Sequence, residues 1–490
     1  MRHFPKNKKR EMTKIKPNPE DFCFTPATEL RELIRNKLVS PVKVVTTFLN
    51  RIEKINPIIN AYCTVVPEFA LETARAAEAA IMRGDDIGPL HGIPVSIKDV
   101  TVTKGIRTTF GSLLYENYIP TSDALIVERL KQAGAIILGK TNCPEFAAGA
   151  STFNQVFGIT RNPWDTSCNS GGSSGGAAAA VAAGLCSLAE GNDLGGSLRI
   201  PASFCGVVGL RSSPGRVPWH PKELAWDTLE IEGGITRTVG DAALMLDVIS
   251  GPDDRNPISL PHEGREFLQA TKNPTVKDLR IAWSDNLNIT PVDREVLTTA
   301  KPAIDVFLAL GGEVVEDTPD FSDAREIAFV LRGLRYVSLY KDQFDDPEFK
   351  RLVNPLIIEN IEQGLKLSVQ DVANAERQRS ELWNRVNSFF DHYDLLVTPT
   401  VAIPPFPAET LYPTEINGKP MESYVEWIML TYAITLAGLP AISLPCGWTQ
   451  KGLPVGIQIV GRRLSEWALL QTASAYELAA PWKDKRPPLG

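Results

Sequence analysis

The sequence predicts a single large α/β domain, and three observations carry that prediction. Helix-spaced apolar patterns alternate with short apolar strands along most of the chain, the order that builds helix-covered sheets. No long flexible linker and no solenoid repeat divides the 490 residues, although at ~150 residues per domain the length allows about three. With 43% hydrophobic and 22% charged residues, the chain matches globular proteins rather than disordered, collagenous or coiled-coil ones. Lys and Arg total 51 against 58 Asp and Glu, a formal net charge of −7. That excludes a strongly basic nucleic-acid binder, though not a local basic patch.

The elements follow in chain order. Residues 1–16 are basic and no apolar run follows them, so they read as a tail rather than a signal peptide. The tail is drawn to residue 22, and Met12 is an alternative start. Residues 25–55 read as two helices, the second opened by Ser40 as N-cap and Pro41 at N1. Val44, Val45, Phe48, Leu49 and Ile52 share one face of it. Residues 68–83 form an Ala-rich helix. The run HGIPVSIKD at 91–99 is a short strand with Val95 and Ile97 on one face and Ser96 and Lys98 on the other. A helix over 124–133 turns at Gly134 into a buried strand at 135–138. Residues 176–185 are helical, as are 238–250. A strand at 279–283 precedes a helix over 291–310, with Thr290 as N-cap and Pro291 at N1. Residues 323–390 are largely helical and charged, within a helix-rich stretch spanning 250–395. The strand at 395–400, the helix at 427–436, two closing strands at 441–445 and 455–460 and a helix at 466–478 complete the domain, which spans 23–490.

Seven cysteines without a C-x-x-C pair argue against disulfide scaffolds and zinc knuckles. A reducing cytoplasm fits best. The most apolar stretch, 177–188, falls short of the ~18 to 20 residues of a membrane span.

Three motifs compete for the chemistry. GAIILGKT at 134–141 matches the phosphate-binding pattern G-x-x-x-x-G-K-[ST] literally. Its middle residues, however, want to be a buried strand, and Pro144 follows where a helix should open. GGSSG at 171–175 matches the G-x-S-x-G nucleophile elbow, with a helix after it but no strand before it. The histidines downstream of Ser173 (His220, His262, His392) read as surface residues rather than a triad base.

The third pattern is larger: GGSSGG at 171–176, EGNDLGGSLRIPA at 190–202, GVVGLR at 206–211 and PGRV at 214–217. Paired glycines beside Ser197 let bare backbone approach a substrate, and consecutive N–H groups there could face one oxygen. Ser173 and Ser174 also lie among glycines. With no usable histidine, the natural base is a lysine, and Lys98 is the best placed. Burial would disfavour its ammonium form.

Together these runs resemble the amidase signature family of serine hydrolases. Further likenesses are RIEKINP at 51–57, GKTNCPEF at 139–146, LVTPT at 396–400, GLPAIS at 438–443 and GLPVGIQ at 452–458. The resemblance covers roughly residue 27 to the end. It implies a central mixed twisted sheet covered by helices on both faces. It implies Ser197 as nucleophile, Ser173 after a cis peptide bond as bridging serine, and Lys98 as general base. The backbone N–H groups of Leu194, Gly195, Gly196 and Ser197 match its oxyanion hole, with Ser174, Asp193 and Arg199 in support. Asn192 departs from the family's usual Thr or Ser, Leu194 is larger than many residues seen there, and RSSPGR at 211–216 replaces its commoner basic-proline form. Phe146, Phe153, Phe157, Trp219, Trp226 and Trp427 fall in segments that line the pocket in relatives. The resemblance implies hydrolysis of small apolar or aryl amides, with carbamates and esters as further substrates. It implies no cofactor, metal, nucleic acid or membrane, and leaves a homodimer open. The alternative is a glutamine-hydrolysing component of a tRNA-dependent amidotransferase, acting with partner proteins.

Overall fold

The computed structural model describes residues 19–421 and 423–489, with side chains from residue 22. Residues 1–18 of the expected tail lie outside the described residues. The tail boundary itself moves: Phe22 and Cys23 are buried, so both pack as core.

One sheet of eleven strands organises the domain. In chain order the strands are β1 Tyr62–Val65, β2 Pro94–Lys98, β3 Ile136–Thr141, β4 Leu188–Asp193, β5 Val208–Arg211 and β6 Ile231–Thr236. They continue with β7 Arg280–Trp283, β8 Glu313–Glu316, β9 Leu395–Pro399, β10 Ala441–Trp448 and β11 Pro454–Gly461. The spatial order is β1-β3-β2-β4-β6-β5-β10-β11-β9-β7-β8. The sheet is mixed: β2 runs parallel to β3 and β4, while β4–β6, β5–β6, β5–β10 and β10–β11 pair antiparallel. Helices cover it. The buried face of helix Pro41–Ile59 carries Val44, Val45, Phe48 and Ile52, as the spacing predicts, and Ser40 caps it by accepting the Lys43 N–H.

Several expectations are corrected. The helix drawn over 291–310 is two helices, Arg294–Ala300 and Pro302–Ala309. Asp293, not Thr290, is the cap and accepts the Glu295 N–H, while the Thr290 hydroxyl donates to the Glu426 carbonyl instead. Pro302 at N1 starts the second helix. Within the helix-rich stretch between 250 and 395 the expected strand at 279–283 is β7, and β8, which the pattern does not predict, lies beside it at the sheet edge. The run GAIILGKT belongs to fully buried β3. Lys140 there donates to the Thr101 carbonyl and to the Thr103 and Thr108 hydroxyls, so it is a structural lysine and binds no phosphate.

Helix Ala324–Phe344 packs on helix Pro355–Leu365 and forms a wall above the sheet. The two cross at Gly333 and Gly364. A Cβ at Gly364 would meet the Gly333 carbonyl oxygen at 2.3 Å, so only glycine permits this backbone-on-backbone approach.

Candidate active site

The site forms where β2 and β4, parallel neighbours in the sheet centre, present their C-terminal ends. Ligands of α/β sheets gather at such ends. Lys98 closes β2, and Asn192 and Asp193 close β4. The GGSSGG turn brings Ser173 and Ser174 to the start of helix Gly175–Ala182, with the Gly172–Ser173 peptide bond cis.

Lys98 is fully buried. Its Nζ donates to Ser173 Oγ at 2.7 Å, to Ser174 Oγ at 2.9 Å and to Asn192 Oδ1. Burial pulls its pKa down to about 8, against the opposing pull of Cys143, Glu190, Glu230 and Asp193. A buried ammonium loses hydration that these neutral acceptors only partly replace. The lysine is therefore poised near neutrality, as a general base requires. Glu190 anchors it from below, accepting the Lys98 backbone N–H at 2.9 Å and the Thr101 hydroxyl at 3.0 Å.

The loop that carries Ser197 is fixed by a buried ion cluster. Asp193 accepts from Arg199 Nε at 3.0 Å and Nη2 at 2.9 Å, and from Arg211 Nη1 at 3.2 Å. It also accepts the backbone N–H groups of Gly196 at 3.0 Å and Leu198 at 3.2 Å. Burial alone would raise its pKa, but the two guanidiniums and these N–H groups hold it well below the ordinary carboxylate range. Arg199 reaches on to the Thr431 carbonyl, Gln458 and Thr435. Gly196, at φ +118°, has no room for a side chain: a Cβ would lie 2.3 Å from Thr431 Oγ1. Because Asp193 holds the Gly196 N–H, that donor is already engaged. Of the expected set of four, Leu194, Gly195 and Ser197 are the N–H groups that Asp193 does not hold.

Ser173 and Ser197 both line a cleft of about 480 Å³. Of the aromatic residues expected there, Phe146 and Trp219 line it. Phe153 sits in a short hairpin away from it, and Phe157 lies under Arg107. Trp226 is 75% exposed. Trp427 is buried core, packed on Phe204 and Phe406. The aromatic wall comes instead from Phe110, Tyr115, Tyr336, Tyr340, Tyr424 and Tyr432. Phe146 joins it, 5.2 Å from Tyr340 between ring centroids. No histidine lines the cleft among the described residues, so the nucleophile-elbow reading finds no base.

The Amidase family model matches residues 43–470. The chain belongs to the amidase signature family, and it is an amide hydrolase. It is 39% identical to an acylamidase of Rhodococcus erythropolis over 473 residues, covering 96% of this chain and 98% of that one. The glutamyl-tRNA(Gln) amidotransferase subunit that it matches in Moorella thermoacetica is 37% identical over 492 residues, covering 96% and 99%. Among solved structures, a bacterial aryl acylamidase of the amidase signature family superposes with a TM-score of 0.86 at 32% identity, covering 94% and 97%. The single mixed sheet flanked by helices is the fold this amidase shares with that neighbour. No helix among the described residues is long and apolar enough to cross a membrane.

Proposed function

We propose that the chain cleaves small apolar or aryl amides through an acyl-enzyme, with Ser197 as nucleophile, Ser173 as relay and Lys98 as base. The observation that carries the reading is the lysine Nζ, buried and held 2.7 Å from Ser173 Oγ, beneath an aromatic cleft that Ser197 also lines.

Neutral Lys98 takes the Ser173 proton as Ser173 takes that of Ser197, whose oxygen attacks the amide carbon. The carbonyl electrons move to oxygen, where the Gly195 and Ser197 N–H groups, with Leu194, stabilise the anion. Collapse of this intermediate breaks the C–N bond. The proton returns along the relay to the leaving nitrogen, releasing the amine and leaving an ester on Ser197. Water, deprotonated by the same relay, then hydrolyses the ester and restores Ser197. Ser174 holds the lysine in place, while Asp193 and Arg199 hold the loop. Aryl carbamates and esters suit the same relay because their leaving groups depart more easily. The relay needs no cofactor, and the reducing cytoplasm is the compartment that suits seven unpaired thiols.

The relationship to the amidotransferase proteins keeps a second reading in view, glutamine hydrolysis with partner subunits. The test is the purified chain alone on p-nitroacetanilide and on glutamine. Anilide turnover by the isolated chain, with an acyl adduct on Ser197 by mass spectrometry, is the expected result. Glutaminase activity that appears only with added partner subunits overturns the proposal.

A further inference from the structure

Arg332 and Arg335 lie nearly one turn apart on helix Ala324–Phe344, and both line the cleft. Their charges meet different fates. Arg335 is neutralised by Glu230 and by Asp227, the latter at 2.5 Å. Arg332 has no carboxylate at ion-pair distance among the described residues. Its Nε donates to Asn360 Oδ1 at 2.8 Å and its Nη2 to Tyr336 Oη at 3.2 Å. Its guanidinium lies 5.0 Å from the Tyr336 ring centroid and 5.6 Å from that of Tyr424. All of these partners are neutral. Arg332 is half-buried, and a guanidinium partly drawn out of water without a counter-anion carries a cost that has a use in a substrate cleft.

A second observation points the same way. Tyr432 is fully buried and lines the same cleft, yet its hydroxyl makes no well-formed hydrogen bond. Its oxygen faces the Arg332 guanidinium closely enough to act as an acceptor for it, which leaves the Tyr432 O–H as the group without a partner among the described residues. Buried hydroxyls rarely stand unpaired. The Tyr432 ring also abuts the loop of Ser197: a Cβ at Gly195 would lie 3.6 Å from Tyr432 Cδ1. The open donor therefore belongs to the part of the cleft nearest the nucleophile. The acids of the cleft do not fill the gap. Glu230 is engaged by Asn192 and Arg335. Burial pushes the Glu232 carboxyl well up from its ordinary value, which disfavours its charged form. Glu223 is exposed at the mouth.

We propose that Arg332 and Tyr432 form a subsite for an anionic oxygen, so that the enzyme selects amides carrying a carboxylate a few bonds from the scissile one. The inference rests on the amide-hydrolysis reading above and names its substrate class. A carboxylate there would complete the Arg332 charge and accept the Tyr432 hydroxyl.

Two matched substrate pairs test it. Glutaryl against valeryl p-nitroanilide places the charge on the acyl side. 4-Acetamidobenzoate against 4-methylacetanilide places it on the amine side. The charged member of one pair should be favoured by about 10- to 100-fold in kcat/KM, chiefly through KM. Arg332→Gln should lower that ratio about tenfold or more. Tyr432→Phe, which keeps the ring, should lower it by a smaller factor. Glutarate binding to the Ser197→Ala protein, followed by calorimetry, should weaken with the same two substitutions. No preference in either pair, or a ratio untouched by both substitutions, overturns the proposal. Glutarate bound in an Arg332-dependent way, with none of the four amides cleaved, upholds the subsite and removes the hydrolytic reading instead.

Discussion

The cleft has a floor and a wall built on different physics. The floor consists of β2, β4 and the loops of Ser173 and Ser197. Its Lys98, Asp193, Arg199 and Arg211 are fully buried and held by named partners at hydrogen-bond distance, with Arg211 Nε alone among their polar atoms left without one. The wall is the face of helix Ala324–Phe344 with the Tyr424 and Tyr432 segment. Tyr336 and Tyr432 are buried but Arg332, Tyr340 and Tyr424 are half-exposed; the wall is rich in phenols and holds a cation with no carboxylate at ion-pair distance among the described residues. A satisfied, buried network is rigid and suits chemistry that needs fixed geometry. A half-open aromatic wall suits recognition, because its unfilled groups wait for the ligand.

The comparison can be broken by substitutions on each side, and the largest effect belongs to the floor. Ser197→Ala should lower kcat by about 10⁴-fold or more, by analogy with loss of other serine nucleophiles. Substantial residual hydrolysis would move the chemistry off this loop. Lys98→Met should cost about 10²- to 10⁴-fold. For the native enzyme, the lysine must be neutral to accept a proton, and its pKa is lowered to about 8. The inactive ammonium form therefore grows as pH falls below about 8, and kcat/KM should climb to a plateau above it. A profile flat from pH 6 to 9 would deny Lys98 the role of base.

Glu230→Gln probes the seam between the two sides, since Glu230 touches Asn192 of the floor and Arg335 of the wall. Its negative charge favours the lysine ammonium. Removing it should move the rising limb of the pH profile to lower pH, and an unmoved limb would show the two sides to be independent. The smallest effect is expected outside the wall. Trp226, 75% exposed, should tolerate Ala with a stability change within about 0.5 kcal/mol by thermal melt. A large change in kcat/KM would extend the wall to include it.

The floor is more legible in the sequence than the wall. Ser173 and Ser197 stand in glycine-rich runs whose only economical explanation is close backbone approach, and Lys98 alternates with apolar residues along a short strand. Even so, the local pattern does not mark β4, β5 and β6 as strands. Glu190, Gly191 and Asn192 in β4, and Glu232, Gly233 and Gly234 in β6, are residues strands usually avoid, and sheet burial overrides that local preference. The wall leaves no such mark. Arg332 and Tyr336 follow ordinary helical spacing, and Trp226 and Trp427 are indistinguishable in sequence although one is exposed and the other is core. Only packing separates a cleft aromatic from a structural one. The Gly196 N–H is similarly ambiguous until its bond to Asp193 fixes its direction.

The crossing of Gly333 and Gly364 has a consequence for how such an enzyme could change its diet. Gly333 follows Arg332 directly and lies within one turn of Tyr336, so the width of that joint sets how far the wall stands from the floor. One added methyl at Gly364 would collide with backbone and push the helices apart. The width of the cleft would change while Lys98, Ser173 and Ser197, which stand on other elements, kept their place. Substrate range is thus adjustable from a joint that touches no substrate, like a vice whose jaws are set by a screw behind them.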